Sequence, residues 1–140
     1  MLMPDPIVFI SHSTLKEGKL EAFKELSGEV FAAMEAEKPG TVLHCGYINE
    51  EETEIHFVHV FPDADAMDAH MVGASDRVGK AGEFLETFAF EIYGIPSEET
   101  LAMLRQAPGV DVVVNPVGIG GYIRLGTRPR PKSGSRKPKP

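Results

Sequence analysis

Residues 7–14, IVFISHST, are apolar and β-branched at successive positions, which predicts a buried strand. The spacing then changes. From about Leu15 to Glu37 the apolar positions Leu20, Phe23, Val30, Phe31 and Met34 recur three and four residues apart, with Lys and Glu between them. That is an amphipathic helix with one buried face, ended by Pro39-Gly40. Two further β-rich runs, TVLHCGYIN (41–49) and TEIHFVHVF (53–61), flank the acidic link Glu50-Glu51-Glu52 and predict a hairpin. Pro62 stops the second run. Asp63 or Asp65 can cap a helix carrying Met67, His70, Met71 and Ala74 along one face. Gly73 and Gly79 predict a break near 73–76, with a second helical piece to about Leu85. FAFEIYGI (88–95) is a fourth strand. Ser97 caps a short helix with Glu98 and Glu99 in its first turn, and Gly109 closes it. VDVVVNPV (110–117) and GYIRL (121–125) then read as two strand segments of a C-terminal hairpin.

The order strand, helix, strand, strand, helix, strand predicts a ferredoxin-like βαββαβ fold of the α+β class. With right-handed crossovers its antiparallel sheet has the order 4-1-3-2, with both long helices on one face. IVFI and FVHVF are apolar at successive positions, so the second face needs cover too. A second copy of the same sheet is the simplest cover. The expected assembly is a homodimer, a dimeric α+β barrel, with the C-terminal helix and hairpin as an extra arm.

Composition changes this picture at one end only. The chain has 140 residues and a net charge of −7, but residues 126–140 carry six bases and no acid. Residues 1–125 therefore hold eight bases against 21 acids, a charge of −13. So acidic a body argues against nucleic acid or an anionic membrane as partner. The expected organisation is one domain over 1–125, with 97–125 as its extension, followed by a flexible basic tail rich in Pro, Gly and Ser at 126–140. The tail can lie on the acidic body or reach an anionic partner. The N-terminus has no signal-peptide pattern, and the single Cys45 fits a reducing, cytoplasmic setting.

The densest chemistry is HFVHVFPDADAMDAHM (56–71). His56 and His59 are three apart on a strand and point to opposite faces. His59 and His70 can converge, one near a strand end and one on the apolar stripe of the next helix. Asp63, Asp65 and Asp68 lack the glycine and terminal glutamate of a calcium loop, so capping and surface charge are their expected roles. Neither a metal nor a cofactor is expected. On the neighbouring strand Thr41, Leu43, Cys45, Tyr47 and Asn49 share one face and His44 lies on the other. Gly118-Ile119-Gly120-Gly121 has neither the spacing nor the following helix of a dinucleotide loop and reads as a turn.

The element order, with IVFISHSTLKEGKLEAFKEL at its start and FVHVFPDADAMDAH in its middle, resembles the antibiotic biosynthesis monooxygenase family over roughly residues 6–95. In that family an acid and then an aromatic commonly end the third strand, and a histidine follows nine residues after the aromatic. Here Phe61 takes the aromatic position, His59 the acidic one, and His70 lies nine residues past Phe61. There is no tryptophan. The haem-degrading branch places an asparagine on the first strand, where this chain offers Ser11, His12 and Ser13.

The resemblance implies a cofactor-independent monooxygenase acting on an aromatic or quinol-like small molecule in an apolar pocket. His70 would be the base and His59 a second polar wall. Phe57, Phe61, Met67, Met71, Tyr47 and Ser11 would contact the substrate. The alternative is a non-catalytic dimer that binds a small ligand in the same cavity, as a carrier or stress-related protein.

Overall fold

The structure, a computed structural model, describes residues 5–124. The elements in chain order are β1 (Ile7–Leu15), α1 (Leu20–Glu37), β2 (Leu43–Ile48), β3 (Glu54–Phe61), α2 (Ala64–Met71), α3 (Ala74–Ala81), β4 (Leu85–Tyr93), α4 (Glu98–Arg105) and β5 (Asp111–Asn115). They form an α+β fold around one five-stranded sheet of order β2-β3-β1-β4-β5. The first four strands are antiparallel in the expected 4-1-3-2 order, and β5 adds to β4 in parallel. A parallel neighbour needs a crossover, and α4 supplies it.

The extension differs from expectation after Asn115. Residues 116–124 contain no strand, so α4 leads to a single edge strand and not to a hairpin. Gly118, Gly120 and Gly121 fall in this stretch, and the last two have φ of +145° and +134°, which breaks any pleat before Tyr122. Leu125 and the tail lie outside the described residues. β1 also runs further than its apolar start suggests, through Leu15, and Gly18 at φ +76° makes the turn into α1.

Local chemistry explains the helix starts. Asp63 accepts a hydrogen bond from the Ala66 backbone N–H at 2.9 Å, capping α2. Ser97 caps α4 by accepting from Thr100 N–H at 3.1 Å. The Ser97 and Thr100 hydroxyls both donate to Asp68, at 2.7 and 2.6 Å, which ties α4 to α2. The helix break falls at Gly73, whose φ of +84° only glycine adopts without strain.

All four helices pack on one sheet face. One core joins Ile7, Phe9, Phe61, Met67, Ile92 and Leu104; a second joins Phe23, Ile55 and Leu85. Phe61 and Met67 are wholly enclosed, each stabilising the fold by about 1.5–3 kcal/mol. The other face carries Val8, Ile10, Val58, Val60, Cys45 and Tyr47, which no helix among the described residues covers. Among them His12 bonds His56 (Nδ1 to Nδ1, 2.6 Å) and the Glu91 carboxylate, and Glu91 accepts from Tyr93.

Gly94 closes β4 at φ +106°, and a Cβ there would sit 2.7 Å from the Pro6 carbonyl oxygen. Gly94→Ala should lower stability by about 1–3 kcal/mol, read as a drop in the urea midpoint. An unchanged midpoint would mean the turn relaxes freely.

Candidate functional site

Between the helices and the inner sheet face lies a cavity of about 600 Å³, a volume suited to a small organic ligand. Its walls are mainly apolar and include five phenylalanines, Phe23 and Phe31 from α1 and Phe9, Phe57 and Phe90 from the sheet. Met71, Ala74 and Arg77 close it from the α2–α3 side, and Leu104 from α4. Its polar wall is a cluster of three histidines, His44, His59 and His70. A second hollow of about 630 Å³, beside Lys16, Glu17 and Glu51, has no histidine among its lining residues.

Strand register builds the cluster. β2 and β3 pair so that His44 stands directly opposite His59. Their rings stack with centroids 4.4 Å apart. His70 arrives from α2 and meets both edge-on, at 5.2 Å from His44 and 5.0 Å from His59. One ring nitrogen from each histidine lies within 4.8 Å of the other two. His59 and His70 are 6% and 3% exposed.

For His59 the hydrogen-bond partner decides which nitrogen is free. His59 Nδ1 lies 3.0 Å from the Phe9 carbonyl oxygen. A carbonyl only accepts, so Nδ1 carries the proton and Nε2 keeps its lone pair. His70 Nδ1 pairs with the Thr41 hydroxyl at 2.9 Å. His44 Nδ1 is buried and has no hydrogen-bond partner among the described residues.

All three imidazoles are neutral at pH 7. Burial, then the Arg77 charge, lowers His44 to about 4. Burial, with His44, Arg77 and Lys38 nearby, lowers His70 to about 3. His59 is held well below its ordinary value by burial first and by its two histidine neighbours next. Arg77 is itself anchored, donating to the His70 and Val72 carbonyls at 2.7 and 3.1 Å.

Of the residues expected at a site, His59, His70, Phe57, Met71 and Ser11 line this cavity. Phe61 touches the His70 ring, 5.1 Å between centroids, but is sealed in the core and does not line the cavity; nor does Met67. Tyr47 is on the opposite sheet face, 59% exposed, because it is three residues from His44 on the same strand. His44, Arg77 and the α1 phenylalanines were not among the expected site residues.

No protein-family model and no curated protein matches the sequence. Solved structures do. SnoaB of Streptomyces nogalater, a cofactor-independent oxygenase, superposes with a TM-score of 0.55 at 18% identity, covering 66% of this chain and 95% of SnoaB. The chain also shares a fold with a protein described as a candidate antibiotic biosynthesis monooxygenase. That protein, from Nitrosomonas europaea, matches at a TM-score of 0.52 and 17% identity, over 61% of this chain and 84% of its own. MupZ of Pseudomonas fluorescens matches over 86% of this chain and 95% of its own, with a TM-score of 0.63 and 20% identity. At these identities the likeness establishes the fold alone. Among the described residues no helix is long and apolar enough to cross a membrane.

Proposed function

We propose that the chain is a cofactor-independent monooxygenase for an aromatic or quinol-like small molecule held in the helix-side cavity. The observation that carries this reading is the set of three neutral imidazoles set together in the wall of a mainly apolar pocket that also holds five phenylalanines. A substrate with an acidic O–H or benzylic C–H hands its proton to Nε2 of His70 or His59. The resulting anion passes an electron to dioxygen, and recombination followed by loss of water leaves a new carbonyl. For a methylene substrate the balance is CH2 plus O2 giving C=O plus H2O.

The low basicity of His70 toward water does not by itself forbid this step. Protonation from solvent puts a lone cation in a dry pocket, whereas transfer from bound substrate creates an imidazolium beside its own anion. Attraction within that pair offsets much of the burial penalty. Where the offset is too small, the same cavity binds its ligand without turnover, and the depressed basicity of all three histidines favours that second reading.

Oxygen uptake with a panel of hydroquinones and anthrones separates the two. The oxygenase reading predicts substrate-dependent uptake with a product gaining a carbonyl. Tight binding of panel members without uptake would leave the carrier reading.

The proposal includes a homodimer joined through the helix-free sheet face, where Val8, Ile10, Val58 and Val60 form a contiguous apolar band. Such a band is unusual on a monomer. Sedimentation at micromolar concentration should give twice the chain mass, and a Val58→Lys change should give the monomer. A monomeric parent chain would contradict this assembly.

A further inference from the structure

We infer that His44, His59 and His70 form a binding site for one divalent transition-metal ion of the zinc type. This goes beyond the oxygenase reading and does not depend on it. Three observations carry the site. Three ring nitrogens from three elements lie within 4.8 Å of one another. Two of the rings are already oriented through Nδ1, His59 by the Phe9 carbonyl and His70 by the Thr41 hydroxyl. This is how outer-shell groups hold metal-ligating histidines with Nε2 free. The third, His44, has a buried Nδ1 with no hydrogen-bond partner among the described residues. A buried unpaired nitrogen is unfavourable, and rotation of its ring toward a metal relieves that cost.

Geometry sets what must move. Bonds of about 2.0–2.1 Å at tetrahedral angles put ligand nitrogens about 3.3 Å apart, so the cluster has to tighten by about 1.5 Å. His44 is the ring able to supply most of this, since it sits on an edge strand and is only half-buried. Three imidazoles with neither thiolate nor carboxylate suit zinc, cobalt, nickel or copper, and not magnesium or calcium. The Arg77 charge acts on both His44 and His70 and opposes a bare dication. The fourth position therefore favours an anionic ligand, hydroxide or a carboxylate, that balances both charges. A metal on Nε2 of His70 also removes the lone pair that would take a substrate proton, so zinc should inhibit any oxygenase activity.

The test is direct binding to chelator-treated full-length protein, with zinc measured against a chromophoric chelator and cobalt by its visible absorption. The expected result is one ion per chain at micromolar affinity or tighter, with the intense cobalt bands of four-coordinate geometry. His44→Ala should weaken zinc binding at least about 100-fold, and Thr41→Val, which keeps all three ligands, by about 10-fold. Circular dichroism confirms that each variant is folded. His12→Ala and His56→Ala should bind as wild type does. No zinc uptake at about 100-fold above micromolar concentrations would overturn the site. So would a folded His44→Ala that binds undiminished, or binding lost in His12→Ala, which would put the ion on the other sheet face. Because the readout is binding, failure of the oxygenase assay leaves this result standing.

Discussion

Acidification from pH 7 to about 4.5 is expected to bring the protein close to unfolding, because three histidines are buried neutral in one cluster. In the unfolded chain each takes up a proton near pH 6.5. In the folded chain His44 does so only at about 4 and His70 at about 3, with His59 also far below its ordinary value. Below pH 6.5 the unfolded state thus binds more protons, and stability falls with pH. The stability is fully present above pH 6.5 and is lost progressively as pH drops toward the folded values. Each histidine that stays neutral contributes a slope of at most about 1.4 kcal/mol per pH unit. Over two pH units His44 and His70 together can therefore remove up to about 5 kcal/mol, less the solvent screening of the half-buried His44, and His59 acts in the same direction, against a typical total of about 5–15. Urea midpoints at pH 7, 6 and 5 should fall steeply, and His59→Phe should flatten the slope by about a third. A midpoint that stays level across this range would mean the histidines titrate normally in the folded state.

The second large effect concerns turnover. Replacing His70 by Ala should lower kcat about 10²–10⁴-fold, the usual worth of a positioned proton acceptor, with a much smaller change in KM. His70→Gln keeps a partner for Thr41 but supplies no base, so it should be as slow as the alanine variant while remaining more stable. If His70→Gln runs at the wild-type rate, His70 is a packing residue. Should His59→Gln alone lose activity, the proton goes to His59, whose Nε2 lone pair is fixed by the Phe9 carbonyl.

Much of this was legible in the sequence, and the failures have physical causes. The two periodicities place the first four strands and α1, and Gly73 marks the α2–α3 break correctly. His59 and His70 do converge, as a strand end and the next helix face suggest. His44 was not joined to them because of one residue of turn length. With Glu50–Glu52 as the whole link, Asn49 would pair with Thr53, and His44 would stand opposite Val58. Instead Thr53 belongs to the turn: the Asn49 carboxamide accepts from both Thr53 and Glu54 N–H groups at 2.8 Å, and Glu52 takes φ +60°. Pairing shifts by one, and His44 meets His59. The asparagine was a visible signal for that longer turn.

The C-terminal extension was misread for a different reason. VDVVVN has the alternation of a strand but says nothing about direction. Its parallel place beside β4 follows from α4 packing Leu104 against Phe9 and Ile92 on the same sheet face as the other helices. Phe61 and Met67 show the limit of apolar pattern as a guide to a pocket. A residue on the inner face can be sealed core or cavity wall, and only the packing of neighbouring helices distinguishes them. Here Phe61 and Met67 meet Ile7 and Ile92, whereas Phe57 faces the gap under α1.

The most direct measurement of the central claim is rapid mixing of chelator-treated protein with an anthrone, under argon and under air. The account predicts that under argon the bound substrate anion accumulates and is visible by its absorption. Under air that absorption decays with uptake of one dioxygen per substrate, and His70→Gln shows neither phase. A bound but un-ionised anthrone, with no oxygen taken up by wild-type protein, would contradict the oxygenase reading of this pocket.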